Sequence, residues 1–339
     1  MAILDRLRPG SKQESQPTQE IKLNEGISQS ELELSNAGVK AEIYTPDGWV
    51  DEDHNTVIIW PGLGAGESDS DAGTKLANEL QAEGKRVIYM NTQVYGGLSN
   101  KTNTPIEDYA KLARNELYEK WGVSNEEQYN SKPKERKVVH VGHSMGAPMA
   151  YRAAEEGDEL VLAQSALFDV FNKIGTARLI RQAATVTKLC VEANQAMIRD
   201  AEEGIREGVI DNALGIGRAA SALVLDGNAG ALKSVFDELV KGADSKEVIA
   251  KGISHMTIIT GGRDLLGSVE GAERRVSELH RLGQPGILHT SSVVEDLDHV
   301  PMSADSIITA IGMAVRHERP KQNHRNDGSD DGSGIQWAA

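Results

Sequence analysis

The stretch Lys137-Val138-Val139-His140-Val141-Gly142-His143-Ser144-Met145-Gly146, followed by Ala147, Met149, Ala150, Ala153 and Ala154, decides the fold. Residues 137–141 are largely β-branched and apolar, as in a buried strand, and the residues after Gly146 suit a helix. Between them stands Gly-x-Ser-x-Gly. A serine held on a sharp strand-to-helix turn is lifted out of the sheet, and glycines two before and two after it keep neighbouring backbone from colliding. The five-residue motif arises by chance in many proteins; the strand before it and the helix after it give it meaning.

Outward from this stretch, short β-type runs alternate with helical patterns, which signals a mostly parallel sheet covered by helices. The run Thr56, Val57, Ile58, Ile59 and Trp60 is apolar or β-branched on consecutive positions, as a strand covered on both faces should be. Further strands are predicted over 31–34 and 39–44, as an opening hairpin, and over 86–90, 160–163, 256–260 and 287–294. Helices are predicted over 72–83, 106–121, 147–155, 269–282 and 303–315. Residues 168–250 break the alternation. They hold no convincing strand, and Leu179, Ala183, Val186, Cys190, Ala193, Met197 and Ala201 recur at steps of four and three along one helix face. This segment reads as a helical cap inserted into a core made of residues 31–167 and 251–316. Residues 1–30 read as a mobile segment and 317–339 as a disordered tail, both poor in apolar groups.

A serine hydroxyl is a poor nucleophile until a base takes its proton, and the base needs a carboxylate to hold its tautomer. On a sheet of this kind the chain order is serine, acid, histidine. The strand over 256–260 runs into Gly261, Gly262, Arg263 and Asp264, and the strand over 287–294 runs into Glu295, Asp296, Leu297, Asp298 and His299. Asp264 and His299 therefore emerge at strand C-terminal ends, where open α/β sheets gather ligands. Asp296 and Asp298 rival Asp264 for the acid but precede the histidine too closely to have their own strand; Asp169 is a third rival. The oxyanion of a tetrahedral intermediate needs backbone donors. Met145 N–H, beside the nucleophile, is one, and Leu63, in the glycine-rich loop 61–66 after Trp60, is the expected other.

Composition narrows the classes. The 339 residues suffice for about two domains, or one large α/β domain with an insertion. Lys and Arg number 36 against 51 Asp and Glu, and the net charge of −15 disfavours phosphate backbones and anionic membranes, so nucleic acid is not an expected partner. No run nears the ~18 apolar residues of a membrane span, so stable membrane insertion is not expected. Asp5, Arg6 and Arg8 stand where a secretory signal needs an apolar core. Cys190 is the single cysteine, which excludes an intrachain disulfide and makes a reducing cytoplasm the expected compartment. No cofactor is expected: Gly62, Gly64 and Gly66 lack the further glycine of a dinucleotide loop, which would fall at Glu67, and no Gly-Lys-Ser/Thr follows. His140 and His143, three apart across a strand end, should point to different faces and not share a metal.

The segments Trp60-Pro61-Gly62-Leu63-Gly64, Gly142-His143-Ser144-Met145-Gly146, Gly261-Gly262-Arg263-Asp264 and Asp298-His299-Val300-Pro301-Met302 resemble the α/β-hydrolase superfamily, over residues 31–316. The resemblance implies an α/β-hydrolase fold, Ser144 as nucleophile, His299 as general base and then acid, Asp264 as its orienter, and the cap at 168–250 over the site. Serine at 144 sets the chain apart from the haloalkane dehalogenase and epoxide hydrolase branches, which use aspartate there. Pro61 departs from the pattern, since many relatives carry histidine before the glycine. Aromatic residues are 4% of the chain, which argues against an aromatic pocket and for an aliphatic acyl group. The expected function is a serine esterase, similar to monoacylglycerol lipases and lysophospholipases, that cleaves a small-molecule carboxylic ester through an acyl-enzyme. A thioesterase, peptidase or carbon-carbon hydrolase with the same triad stays open, as does a non-catalytic binding protein on the scaffold.

Overall fold

The computed structural model describes residues 22–62, 67–91, 106–122, 137–144, 146–165, 245–262, 264, 269–283, 288–294, 302, 304–318 and 335–338. Nine strands form one sheet: β1 (Ile27–Leu34), β2 (Val39–Pro46), β3 (Thr56–Trp60), β4 (Arg86–Asn91), β5 (Val139–His143), β6 (Glu159–Ala163), β7 (His255–Gly261), β8 (Leu288–Val294) and β9 (Ile335–Ala338). Their order is β1-β2-β4-β3-β5-β6-β7-β8-β9. The six strands from β4 across to β8 are mutually parallel, whereas β1, β2 and β9 pair antiparallel at the two edges. The described helices are α1 (Glu67–Glu79), α2 (Ile106–Gly122), α3 (Gly146–Ala153), α4 (Ser245–Ala250), α5 (Val269–Leu282) and α6 (Asp305–Val315). After β3 the chain lays β4 on one side and then returns to place β5 on the other. The strand order therefore reverses between β3 and β5, the point at which open α/β sheets take ligands at their strands' C-terminal ends.

Side chains alternate across a strand, so a sheet covered on both faces needs apolar residues at every position. In β3, Ile58 and Trp60 join a core with Tyr109 and Leu117 of α2, Met149 of α3 and Leu279 of α5. Val57 and Ile59 point the other way, into a core with Leu76 of α1 and Ile307 and Ile311 of α6. The consecutive apolar run is thus two interleaved faces, each fully buried. Burying one such Ile or Leu contributes about 1.5–3 kcal/mol of transfer free energy.

Three expectations change at their boundaries. β1 starts at Ile27, so the end of the segment read as mobile is strand, paired through Ile27↔Pro46 to Ser30↔Ile43. β9 lies inside the stretch read as a disordered tail. It pairs Ile335↔Val294 to Ala338↔Ser291 and supplies backbone partners to the outer edge of β8, which would otherwise be open. The last six residues of the expected cap form α4, which belongs to the body: Val248 is buried in the core, Glu247 meets Arg152 at 2.6 Å, and Ser245 bonds Glu278 at 2.7 Å. The rest of the cap, 168–244, lies outside the described residues.

Candidate active site

β5 continues through Gly142 and His143, two residues beyond the predicted end, and α3 begins at Gly146. Ser144 therefore follows directly on the strand, and only one residue separates it from the helix. Ser144 has φ +49°, in the left-handed region, which costs a side-chain-bearing residue roughly 1–2 kcal/mol. Two hydrogen bonds hold it there: its N–H donates to Ala163 O at 3.0 Å, and its carbonyl accepts from Ala147 N–H at 3.2 Å. The flanking glycines are needed for close approach. A Cβ on Gly142 would lie 2.6 Å from Ala147 Cα, and one on Gly146 would lie 1.9 Å from the Trp60 carbonyl oxygen. Neither position can carry a side chain without moving α3 away from the strands.

The end of β3 leans on this elbow. A Cβ on Gly62 would sit 3.0 Å from Ser144 Cβ, 3.1 Å from His143 Nδ1 and 3.2 Å from the His143 carbonyl oxygen. The turn after Trp60 thus passes directly against the serine, the placement expected of a loop that supplies an oxyanion donor. On its other side His143 reaches the end of β6, where its Nε2–H donates to Gln164 Oε1 at 3.3 Å. Gln164 is fully buried, has φ +47°, and donates its N–H to Ile259 O at 2.7 Å. Two strained residues, Ser144 and Gln164, therefore stand side by side at neighbouring strand ends.

Asp264 is 9% exposed and follows β7 after a turn in which its N–H donates to Gly261 O at 3.1 Å. Gly262 N–H donates to Val294 O at 2.9 Å, tying this turn to the end of β8, from which the chain leaves towards His299. The parallel pairing puts Ser144 and Asp264 at the same end of the sheet, with β6 between their strands. Two strand spacings of ~4.8 Å separate β5 from β7. His299, Leu63 and Met145 lie outside the described residues, as do Asp169, Asp296 and Asp298.

Sequence reading missed Gln164; the available signal was a polar residue directly after a buried strand at Ser144's end of the sheet. His140 and His143 diverge as expected. His140 accepts from Trp60 Nε1–H at 3.1 Å, on the far side from Gln164. Among the described residues no His, Cys, Asp and Glu cluster could hold a metal ion, and no helix is long and apolar enough to cross a membrane. A group of coupled charges lies at the opposite end of the sheet, where Glu159 accepts from His317 Nε2–H at 2.9 Å and approaches His54 at 3.8 Å.

No protein-family model matches the sequence, and no curated protein is significantly similar to it. Among solved structures, a carboxyl esterase from the mycorrhizal fungus Tuber melanosporum is 15% identical with a TM-score of 0.50, over 89% of this chain and 89% of that one. A thermophilic esterase from Thermogutta terrifontis is 16% identical with a TM-score of 0.49, over 86% and 97%. A hormone-sensitive lipase from a metagenome library is 12% identical with a TM-score of 0.47, over 88% and 86%. The first of these is a likeness of fold.

Proposed function

Because the chain has the α/β-hydrolase fold, we propose that it is a serine hydrolase that cleaves a carboxylic ester of an aliphatic acyl group. The observation that carries this reading is Ser144 itself. It is a left-handed serine at the C-terminal end of β5, beside the point where the strand order reverses, with Gly62 of the neighbouring loop pressed against it. In the reaction, Ser144 Oγ attacks the acyl carbon while His299 takes its proton, and Asp264 holds the imidazole in the productive tautomer. The N–H groups of Met145 and Leu63 receive the oxyanion. The tetrahedral intermediate collapses, the alcohol leaves with the proton from His299, and the acyl group stays on Ser144. Water, deprotonated by His299, then attacks the acyl-enzyme, and the second collapse frees the carboxylic acid and restores Ser144.

The test is labelling with a fluorescent fluorophosphonate, beside Ser144→Ala and a heat-denatured control, with the modified residue mapped by mass spectrometry. Modification of Ser144 that vanishes in the variant and the denatured protein supports the reading and sets up a screen of esters of increasing acyl length. Folded protein that remains unlabelled, or ester turnover that survives in Ser144→Ala, refutes it.

A further inference from the structure

We propose that His140 is a positioning residue: packed beside Asp158, it accepts from and so fixes the indole of Trp60, and thereby the Trp60-Pro61-Gly62 turn against which Ser144 works. The proposal rests on the serine-hydrolase reading and adds to it a group outside the triad and the oxyanion loop.

The three side chains form a buried polar line under the sheet, with Trp60 and His140 at 0% exposure and Asp158 at 3%. Trp60 Nε1–H donates to His140 Nδ1 at 3.1 Å. An indole nitrogen can only donate, so Nδ1 must be the bare nitrogen and the imidazole proton sits on Nε2. That nitrogen lies 3.4 Å from Asp158 Oδ2, an electrostatic approach without hydrogen-bond geometry. Asp158 is fixed in turn: it accepts from Val138 N–H at 3.1 Å and from Glu155 N–H at 2.7 Å. Burial pushes its carboxyl group up, but His140 and the two amides outweigh this and hold it below the ordinary carboxylate range. The line thus runs from the start of β6 to the end of β3.

Its far end is where the catalytic parts meet. Trp60 pairs with Gly142 in the sheet, and His140 pairs with Ile58, so the indole reaches back along the sheet face to find the imidazole. The rings lie 6.2 Å apart at 28°. The backbone of Trp60 and Pro61 abuts the elbow: their carbonyl oxygens would lie 1.9 and 2.5 Å from a Cβ on Gly146. A Cβ on the next residue, Gly62, would lie 3.0 Å from Ser144 Cβ. An apolar pair at 60 and 140 would fill the same space without the cost of burying polar atoms. What the polar pair adds is direction, since one hydrogen bond selects one indole rotamer. A turn that presses on the nucleophile gains from that directional constraint, because a misplacement of about 1 Å at a reacting centre can cost on the order of 100-fold in rate.

The test compares wild type with Trp60→Phe, which removes only the indole donor, His140→Leu, which removes the acceptor, and His140→Asn, whose amide oxygen falls near Nδ1. Turnover of a short-chain ester is expressed per serine titrated with fluorophosphonate. KM and inhibition by a trifluoromethyl ketone, whose tetrahedral adduct uses the oxyanion donors, are measured beside it. Thermal melting reports folding. Losing an oxyanion donor outright costs about 100- to 1,000-fold, so displacing one should cost about 10- to 100-fold. The expected result is a kcat lowered by that factor in Trp60→Phe and His140→Leu, KM within about twofold, ketone inhibition weakened in step with kcat, and His140→Asn close to wild type. If His140→Leu does not fold, Trp60→Phe carries the test alone. Active wild type with Trp60→Phe at full kcat and unchanged ketone inhibition overturns the proposal while leaving the hydrolase reading intact. Wild type that neither labels nor turns over ester overturns both.

Discussion

Replacing Gly146 by alanine adds one methyl group at the tightest point of the elbow. Its Cβ would fall 1.9 Å from the Trp60 carbonyl oxygen and 2.5 Å from that of Pro61. A carbon and a carbonyl oxygen settle no closer than about 3.3 Å, so α3 and the end of β3 must part by about 1.4 Å at that point. Both atoms are backbone, in elements buried on every side, so no flexible side chain can absorb the shift. Overpacking of this kind costs about 1–3 kcal/mol and sometimes more; for a chain of 339 residues that is a fall in melting temperature of roughly 1–4 °C. The loss of activity is expected to be larger, about 100-fold or more, because the displacement separates Ser144 from the loop proposed to receive its oxyanion. Gly38→Ala is the control: it has φ +65° and nothing within 4 Å, so it incurs backbone strain of about 1–2 kcal/mol far from the serine. Melting curves and fluorophosphonate labelling rates of both variants read the two effects separately. If Gly146→Ala labels at the wild-type rate, the elbow and the β3 turn are not in the contact described.

Ser144→Gly is expected to melt above Ser144→Ala, by an amount equivalent to about 1 kcal/mol, because only glycine relieves the strain at φ +49°; equal melting temperatures would place the serine in ordinary backbone. Ile311→Ala removes a fully buried side chain of the α6 face, and urea unfolding should show a loss of about 2–5 kcal/mol; a loss below 1 kcal/mol would mean that α6 is not docked on the sheet. The pH profile of stability should be a dome. His317 is raised above its ordinary 6.5 chiefly by its bond to Glu159, so that stabilisation is complete below about pH 6.5 and is lost as pH rises through the raised value. His255, pushed down by burial to about 4, is neutral when folded and costs stability as pH falls from about 6.5 towards 4. Burial, the largest single effect, pushes Glu159 up, but its bond to His317 and the charges of His317, His54 and His255 together outweigh this and lower it, so its share is present above about pH 4.5 and fades below it. His317→Asn, which tolerates the left-handed φ of +54° at that residue, should flatten the alkaline limb in thermal melts; an unchanged limb would refute the assignment.

Much of the architecture was legible because the parallel strands announce themselves. Thr56 to Trp60 is an unbroken β-branched and apolar run, and its boundaries match β3. The end of β5 was misjudged because Gly142 and His143 read as turn residues, whereas Gly142 pairs with Trp60 and His143 with Ala163. β9 escaped because a composition dominated by Asn, Asp, Gly and Ser masked the short run Ile335-Gln336-Trp337-Ala338. At the site, Ser144 and Asp264 were readable as strand-turn residues at one edge. The Trp60 and His140 pair was not, because its members are 80 residues apart in sequence and neither local pattern points to the other. Gln164 was invisible for a similar reason: its partner is chosen by strand adjacency, not by spacing.

The core shared by α1 and α6 has a consequence for synthesis. Leu76 and Leu80 are covered together with Ile307, Ile308 and Ile311, and the two helices are tied by Lys75 to Asp305 at 2.6 Å and Arg316 to Glu79 at 3.0 Å. More than 200 residues must be translated after Leu80 before that cover arrives, roughly 10–50 s at ribosomal speed. Until then Leu76, Leu80 and the strand residues that pack with Ile307 and Ile311 lack the cover that α6 brings. A stalled chain ending before α6 should therefore bind chaperones and be cut by proteases as readily as an unfolded one, although most of its strands have already been made.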